Sequence, residues 1–159
     1  MKQIKCILDT LKADGTPIDN ILRDGIINVS FNEAITIKAG AKIAIDKVFL
    51  IAPAADPLKP TENVPLDTID MSIELSSLEL DSYNSATHGR KNVICYFTPQ
   101  VQKSDAASNT YLYESKVINL ISLNNNTDLD VGTLIFRIVD TRTQKGVNFT
   151  YASFNVILT

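Results

Sequence analysis

Few side chains in this sequence have the type and spacing that chemistry needs, and each such set has a plainer alternative. The single histidine, His88, lies in the polar stretch Ser85-Ala86-Thr87-His88-Gly89-Arg90. A histidine there titrates near neutrality and could act as a general base. There is no G-x-S-x-G elbow to supply a nucleophile and no second histidine, so His88 reads as an exposed loop residue. The stretch Asn124-Asn125-Asn126-Thr127-Asp128-Leu129-Asp130 offers oxygen ligands at close spacing. Calcium takes six to eight oxygens, and an EF-hand loop closes on a bidentate glutamate that this stretch lacks. An Asx-rich turn accounts for the same residues. The carboxylate pairs Glu62/Asp67 and Asp128/Asp130 could be drawn as glycosidase acids, but that role depends on a separation that spacing does not give. Solvated loop carboxylates are the plainer reading.

Other chemistry lacks its residues. Neither G-x-G-x-x-G nor G-x-x-x-x-G-K-[ST] occurs, so no phosphate-cradling loop is expected. There is no C-x-x-C pair and no H-E-x-x-H, and one histidine cannot furnish a cupin-type metal cluster. The two cysteines, Cys6 and Cys95, sit in apolar runs and read as buried free thiols, in keeping with folding in a reducing compartment. Three N-x-[ST] triplets begin at Asn28, Asn125 and Asn148, and read as chance matches in a chain with no secretion signal at Met1–Asp9.

Charge and composition narrow the class. The 159 residues carry 15 Lys and Arg against 18 Asp and Glu, a formal net charge of −3. That balance disfavours a protein whose task is to neutralise nucleic-acid phosphates. The only basic clusters are Arg90-Lys91, near Tyr96 and Phe97, and Arg142 with Lys145. No basic arm precedes the first strand, and no window approaches the roughly 18 apolar residues of a spanning helix. With 45% hydrophobic residues over this length, the chain is expected to form one domain, residues 1–159, with a substantial core.

The elements that would position any site are strands. The apolar period is two: Ile27, Val29, Phe31; Ile35, Ile37; Ile43, Ile45, then Val48-Phe49-Leu50-Ile51; Met71, Ile73, Leu75; Leu134, Phe136, Ile138; and Tyr151, Phe154, Val156, Leu158. Asp14-Gly15, Asp24-Gly25 and Ala39-Gly40 mark turns, and Thr141–Gly146 suggests a hairpin between the last two strands. Three longer connections are expected: Pro53–Pro65, with four prolines, Asp81–Asn92 and Pro99–Thr110. Thr10–Arg23 is the best place for a short helical turn. Eight or nine strands without crossover helices predict an all-β protein, an antiparallel β-sandwich of the jelly-roll kind.

Four segments carry a resemblance. They are Ile35–Ile51; Ile73–Asn84 with Gly89 and Asn92–Phe97; Tyr113 with Val117–Asn125; and Leu129-Asp130-Val131 with Leu134–Asp140. Ser82-Tyr83-Asn84 followed by a polar loop, Gly89 and an apolar strand is one of the more specific blocks. Leu123-Asn124-Asn125 followed by Arg137-Ile138-Val139-Asp140 is the other. Together, over roughly residues 26–145, they resemble the single jelly-roll minor capsid, or penton, proteins of virophages, polinton-like viruses and related double-stranded DNA viruses. Many of those relatives carry insertions or a second domain at the vertex, for which this length leaves no room.

The resemblance implies a single jelly roll of about eight strands and a structural role in a virion, without catalysis or a cofactor. Five copies would form a ring closing a five-fold vertex, surrounded by trimers of a double jelly-roll major capsid protein, with a vertex fibre or receptor-binding protein as a further partner. The protein would be made inside the host cell. Neither a specific nucleic-acid contact nor a membrane span is implied. Loops at the ends of a rigid sandwich are the natural contact surfaces, so the candidate subunit-contact residues are Pro53, Pro57, Leu58, Pro60, Pro65, Tyr83, Arg90, Pro99, Val101 and Tyr111. The competing reading is a β-sandwich binding module for a carbohydrate or a protein receptor. The absence of Trp, the best sugar-stacking side chain, counts against it, although Tyr83, Tyr111 and Tyr113 remain.

Overall fold

The computed structural model describes residues 2–9, 25–54, 65–76, 83–84, 89–90, 92–105, 107–123, 125–147 and 149–159, with the backbone alone at 2–9, 28, 83–84 and 89–90. The helical turn expected in Thr10–Arg23, His88 and Glu62 lie outside the described residues.

Strand-forming sequence gives strands over most of the described residues. They are β1 (Lys2–Asp9), β2 (Ile26–Ile37), β3 (Lys42–Pro53), β4 (Met71–Leu75), β5 (Tyr83–Asn84) and β6 (Gly89–Arg90). There follow β7 (Val93–Phe97), β8 (Gln100–Ser104), β9 (Ser108–Glu114), β10 (Ile121–Ser122), β11 (Leu129–Asp140) and β12 (Tyr151–Leu158). The only helical element among the described residues is a 3-10 turn, Leu66–Thr68.

Two antiparallel sheets pack face to face. Sheet I runs β1-β12-β3-β9-β8, with β10 also paired to β3, and sheet II runs β2-β11-β4-β7. Successive strands of five or more residues alternate between the sheets, except that β4 and β7 are neighbours in sheet II and β8 and β9 are neighbours in sheet I. The orders 1-12-3-9 and 2-11-4-7 are those of a jelly roll, two interleaved Greek keys. The fold expected from periodicity is the fold present, with β8 and the two-residue strands β5, β6 and β10 added beyond the eight-strand frame.

The core follows the alternation. Ile27, Met71, Ile73, Leu75, Leu134, Phe136 and Ile138 of sheet II meet Ile43, Ile45, Val48, Leu50, Phe154 and Val156 of sheet I, all buried. At its centre the Phe136 and Phe154 rings meet edge to face across the two sheets, with centroids 5.0 Å apart. Burying one such ring stabilises the fold by about 1.5–3 kcal/mol. The inward set of β3 changes phase at Asp46-Lys47, where two residues oppose the single Asn155 of β12, a bulge that keeps Val48 and Leu50 pointing inward. Gly132 lies at a second irregularity, between Val131 and Thr133, where the inward set of β11 moves from odd to even positions.

Two expected connections are corrected, and two apolar runs join into one strand. Thr141–Gly146 is no hairpin between neighbouring strands, since β11 lies in sheet II and β12 in sheet I, so this turn carries the chain from one sheet to the other. Ile27–Phe31 and Ile35–Ile37 are one strand, β2, rather than two. Pro99–Thr110 is largely the β8–β9 hairpin rather than a loop. The Ala39-Gly40 reversal also changes sheets, with Gly40 at φ 71° and the Ala41 N–H donating to the Lys38 carbonyl.

Candidate functional site

The expected contact residues do not converge on one surface. Pro53 ends β3 opposite Ser108 and is half-buried, while Pro65 is exposed just before the 3-10 turn. Pro57, Leu58 and Pro60 lie outside the described residues. Tyr83 and Arg90 are register partners in the small β5–β6 ladder, described by backbone only. Pro99 is buried between β7 and β8. Tyr111 is corrected as a subunit contact: it faces the core from β9 and is 1% exposed, because inward positions of a central strand are sealed by the opposite sheet.

Val101 sits on the same inner face, directly opposite Tyr111, yet is 39% exposed. The cause is an unequal sandwich. On this flank the Phe97 ring of β7 packs against the Tyr113 ring of β9, with centroids 5.3 Å apart, so the last strand of sheet II lies beneath β9. Among the described residues no strand of sheet II lies beneath β8, and all five β8 residues are exposed. Val101 is thus exposed on a face where its register partner is sealed.

A cavity of about 190 Å³ opens on this flank. Ile94 and Cys95 of β7 line it with Ile45, Tyr113, Asn119 and Ile121. The chain from β9 to β10 forms its rim: the Ser115 N–H donates 2.8 Å to the Asp46 carbonyl, and the Ser115 hydroxyl donates to the Val117 carbonyl. That rim holds Val117, 69% exposed, with Ile118 and Leu120 also exposed. Scattered apolar surface residues are ordinary, but three within four positions form a patch.

Electrostatics around the flank are mild. Exposed ion pairs join Lys47 to Glu114 at 3.2 Å and Lys103 to Asp105 at 3.6 Å. Burial pushes the Cys95 thiol up to about 11, and its Sγ lies 3.7 Å from the Tyr96 carbonyl oxygen. A thiol held protonated in this way is a poor nucleophile near neutrality. Cys95 is half-buried and free, while the Cys6 side chain is outside the description. Tyr96 is half-exposed, and partial burial first, then the Glu74 and Asp70 charges, raise its phenol. Its neighbour Phe97 is buried in the core, so the two rings do not form one stacking surface. On the other side of the β8–β9 hairpin a shallow groove is lined by Gln100, Gln102, Leu112, Glu114 and Lys116.

The Asx-rich stretch is used as a clamp. Asp128 accepts hydrogen bonds from the Ala39 N–H at 2.9 Å and the Lys38 ammonium at 3.2 Å, and Asp130 accepts one from the Thr36 hydroxyl at 2.8 Å. The Asn125 amide donates to the Lys38 carbonyl at 2.7 Å, while the Gly40 N–H donates to the Asn125 carbonyl. The Ala39 N–H and then Lys38 hold the Asp128 carboxyl below its ordinary range. Its oxygens are engaged in fastening the β2–β3 reversal to the segment before β11. Among the described residues no group of three or more His, Cys, Asp or Glu is placed to hold a metal, and no helix is long and apolar enough to cross a membrane.

No protein-family model, no curated protein and no solved structure matches this chain.

Proposed function

We propose that this chain is a structural protein of an icosahedral virus shell, a minor capsid or penton protein whose copies close into a five-membered ring at the vertex. The observation that carries the reading is the jelly-roll order 1-12-3-9 facing 2-11-4-7, since a single jelly roll is the fold that the resemblance to penton proteins implies. Fold alone does not assign function. The resemblance supplies the role, and the architecture is compatible with it. A rigid sandwich whose two flanks differ is a directional tile, and cyclic closure needs two different patches on each copy. The modest net charge of −3 suits a shell tile better than a genome binder.

Co-assembly tests this reading. The protein is expressed with a double jelly-roll major capsid protein from a virus of this type, and the particles are imaged. Shells whose five-fold vertices gain density on addition of this chain support it. Particles indistinguishable with and without the chain count against it.

A further inference from the structure

We infer that the solvent-facing side of sheet I, from β8 across to β12, binds a neutral oligosaccharide, with sugar rings resting on Leu112, Phe49 and Tyr151 and hydroxyls held by Gln100 and Gln102. Such binding does not depend on ring closure. In β3, Val48 and Leu50 point into the core, so Phe49 and Ile51 point outward. Leu112 lies between the inward Tyr111 and Tyr113 of β9, and Tyr151 precedes the inward Ala152 of β12, so both point the same way. All four are half-buried, and none joins the core. The outer face of a two-sheet sandwich is ordinarily polar, so an aromatic and aliphatic strip across three strands is out of keeping with solvent alone.

Register puts this strip in line with amides. Gln100, Leu112, Phe49 and Ser153 are successive partners across β8, β9, β3 and β12. At about 4.8 Å between strands the row is about 14 Å long, longer than one sugar ring. Gln102 is the extra residue of the β8 bulge between Val101 and Lys103. A bulge re-aims a side chain, and Gln102 joins Gln100 and Leu112 in lining the groove of about 610 Å³. That volume lies in the range of small-ligand sites, about 300–1,000 Å³. Both glutamines are exposed. Further along the strip the Phe49 and Tyr151 rings meet edge to face, with centroids 5.9 Å apart.

The chemistry of the face selects the ligand. A glutamine amide both donates and accepts hydrogen bonds, as a sugar hydroxyl does. A pyranose also has a C–H face that rests on aromatic or aliphatic side chains. The charges beside the row cancel: Lys47 and Glu114 are register partners at 3.2 Å, and Lys103 meets Asp105 at 3.6 Å. Lys116 is the remaining cation in the groove, too little charge for the phosphates of a nucleic acid. Phe49 and Tyr151 take the stacking part for which the sequence offers no Trp, and which Tyr111, sealed in the core, cannot play.

Amide-resolved NMR titration of the full chain with cellotetraose, chitotetraose and mannotetraose tests this. Two variants accompany the wild type, Phe49→Leu and the double variant Gln100→Ala with Gln102→Ala. The glutamines are exposed, so the double variant keeps the wild-type thermal midpoint. At least one sugar is expected to shift the amides of Gln100, Leu112 and Phe49. The double variant is expected to weaken that binding by about tenfold, the effect of two hydrogen bonds. Phe49→Leu, which keeps an apolar side chain and removes the ring, is expected to weaken it as well. No shift with any of the three sugars at about 10 mM, tenfold above a millimolar Kd, overturns the inference. So do shifts confined to other parts of the chain, binding that both variants leave unchanged, or binding only of an anionic heparin oligosaccharide run beside them, and each of these leaves the vertex reading as it stands.

Discussion

Val101 and Tyr111 stand opposite each other in the β8–β9 ladder and share one face of sheet I, yet Tyr111 is sealed in the core and Val101 stands in solvent. Register makes them equivalent, and the opposite sheet separates them, because among the described residues β7 and its neighbours cover β9 and no strand of sheet II reaches β8. The pair locates the boundary of the closed jelly roll. It also says where substitution should harm folding and where it should be tolerated.

The closed part depends on the ring pair at its centre. Phe136→Ala and Phe154→Ala each lower stability by about 3–5 kcal/mol, read as a shift in the urea midpoint. The double variant costs less than the sum, because the first deletion already removes the edge-to-face contact. Full additivity would mean that the two rings do not interact.

Gly25 is needed twice over at the start of β2. Its φ of 71° favours glycine, and an added Cβ would run into the Ile138 carbonyl, while the Gly25 carbonyl already accepts the Ile138 N–H. Gly25→Ala is expected to cost about 2–4 kcal/mol by equilibrium unfolding. A loss below about 0.5 kcal/mol, the range of ordinary surface changes, would contradict this geometry.

Cys95 should show its burial in its pH response. Its folded-state pKa of about 11 lies above the unmodified thiol value of 9.0. The unfolded chain therefore loses the proton first. The stability held by the protonated thiol is full below about 9 and is lost as the pH rises toward 11. Native-state reaction with a disulfide reagent should be slow at pH 8 and accelerate only on the way to that value. Rapid labelling at pH 7 would contradict it, and Cys95→Ala should flatten the alkaline slope.

Asp128 should respond in the opposite sense. Its carboxyl is lowered first by the Ala39 N–H and then by Lys38. Its contribution is present above the ordinary carboxylate range and is lost as the pH falls through the lowered folded value. In a carboxyl-resolved NMR titration Lys38→Met should raise the Asp128 midpoint only part of the way, because the backbone donor remains. An ordinary aspartate midpoint in the wild type would show that the clamp does not form in solution.

How much of this was legible beforehand depends on what covers each face. Alternation in Met71–Leu75 and Leu134–Ile138 identified inward positions because a full opposite sheet stands over them. The phase change between Ile45 and Val48 was likewise visible as a break in alternation, and the structure shows the bulge that causes it. β8 left no such trace. Gln100-Val101-Gln102-Lys103-Ser104 is exposed on both faces, so nothing selects alternation, and polar composition resembles a loop. Tyr111 looked like loop surface for the same reason, being read together with β8. The turn at Thr141–Gly146 was visible, but local chemistry does not distinguish a hairpin from a crossing between sheets. The cavity beside β7 needed three dimensions, since Ile45, Cys95 and Asn119 come from separate segments. The hydrophobic run Val117-Ile118-Asn119-Leu120 was the one sequence signal pointing there, an apolar stretch with only two strand residues after it.

The central claim is cyclic assembly, and native mass measurement of the recombinant chain across a concentration series, with class-averaged images of the largest species, tests it most directly. The account predicts a ring of about 88 kDa, five copies of a 17.5 kDa chain, with five-fold averages. A closed two-fold or three-fold oligomer, or a monomer at every concentration, would contradict it.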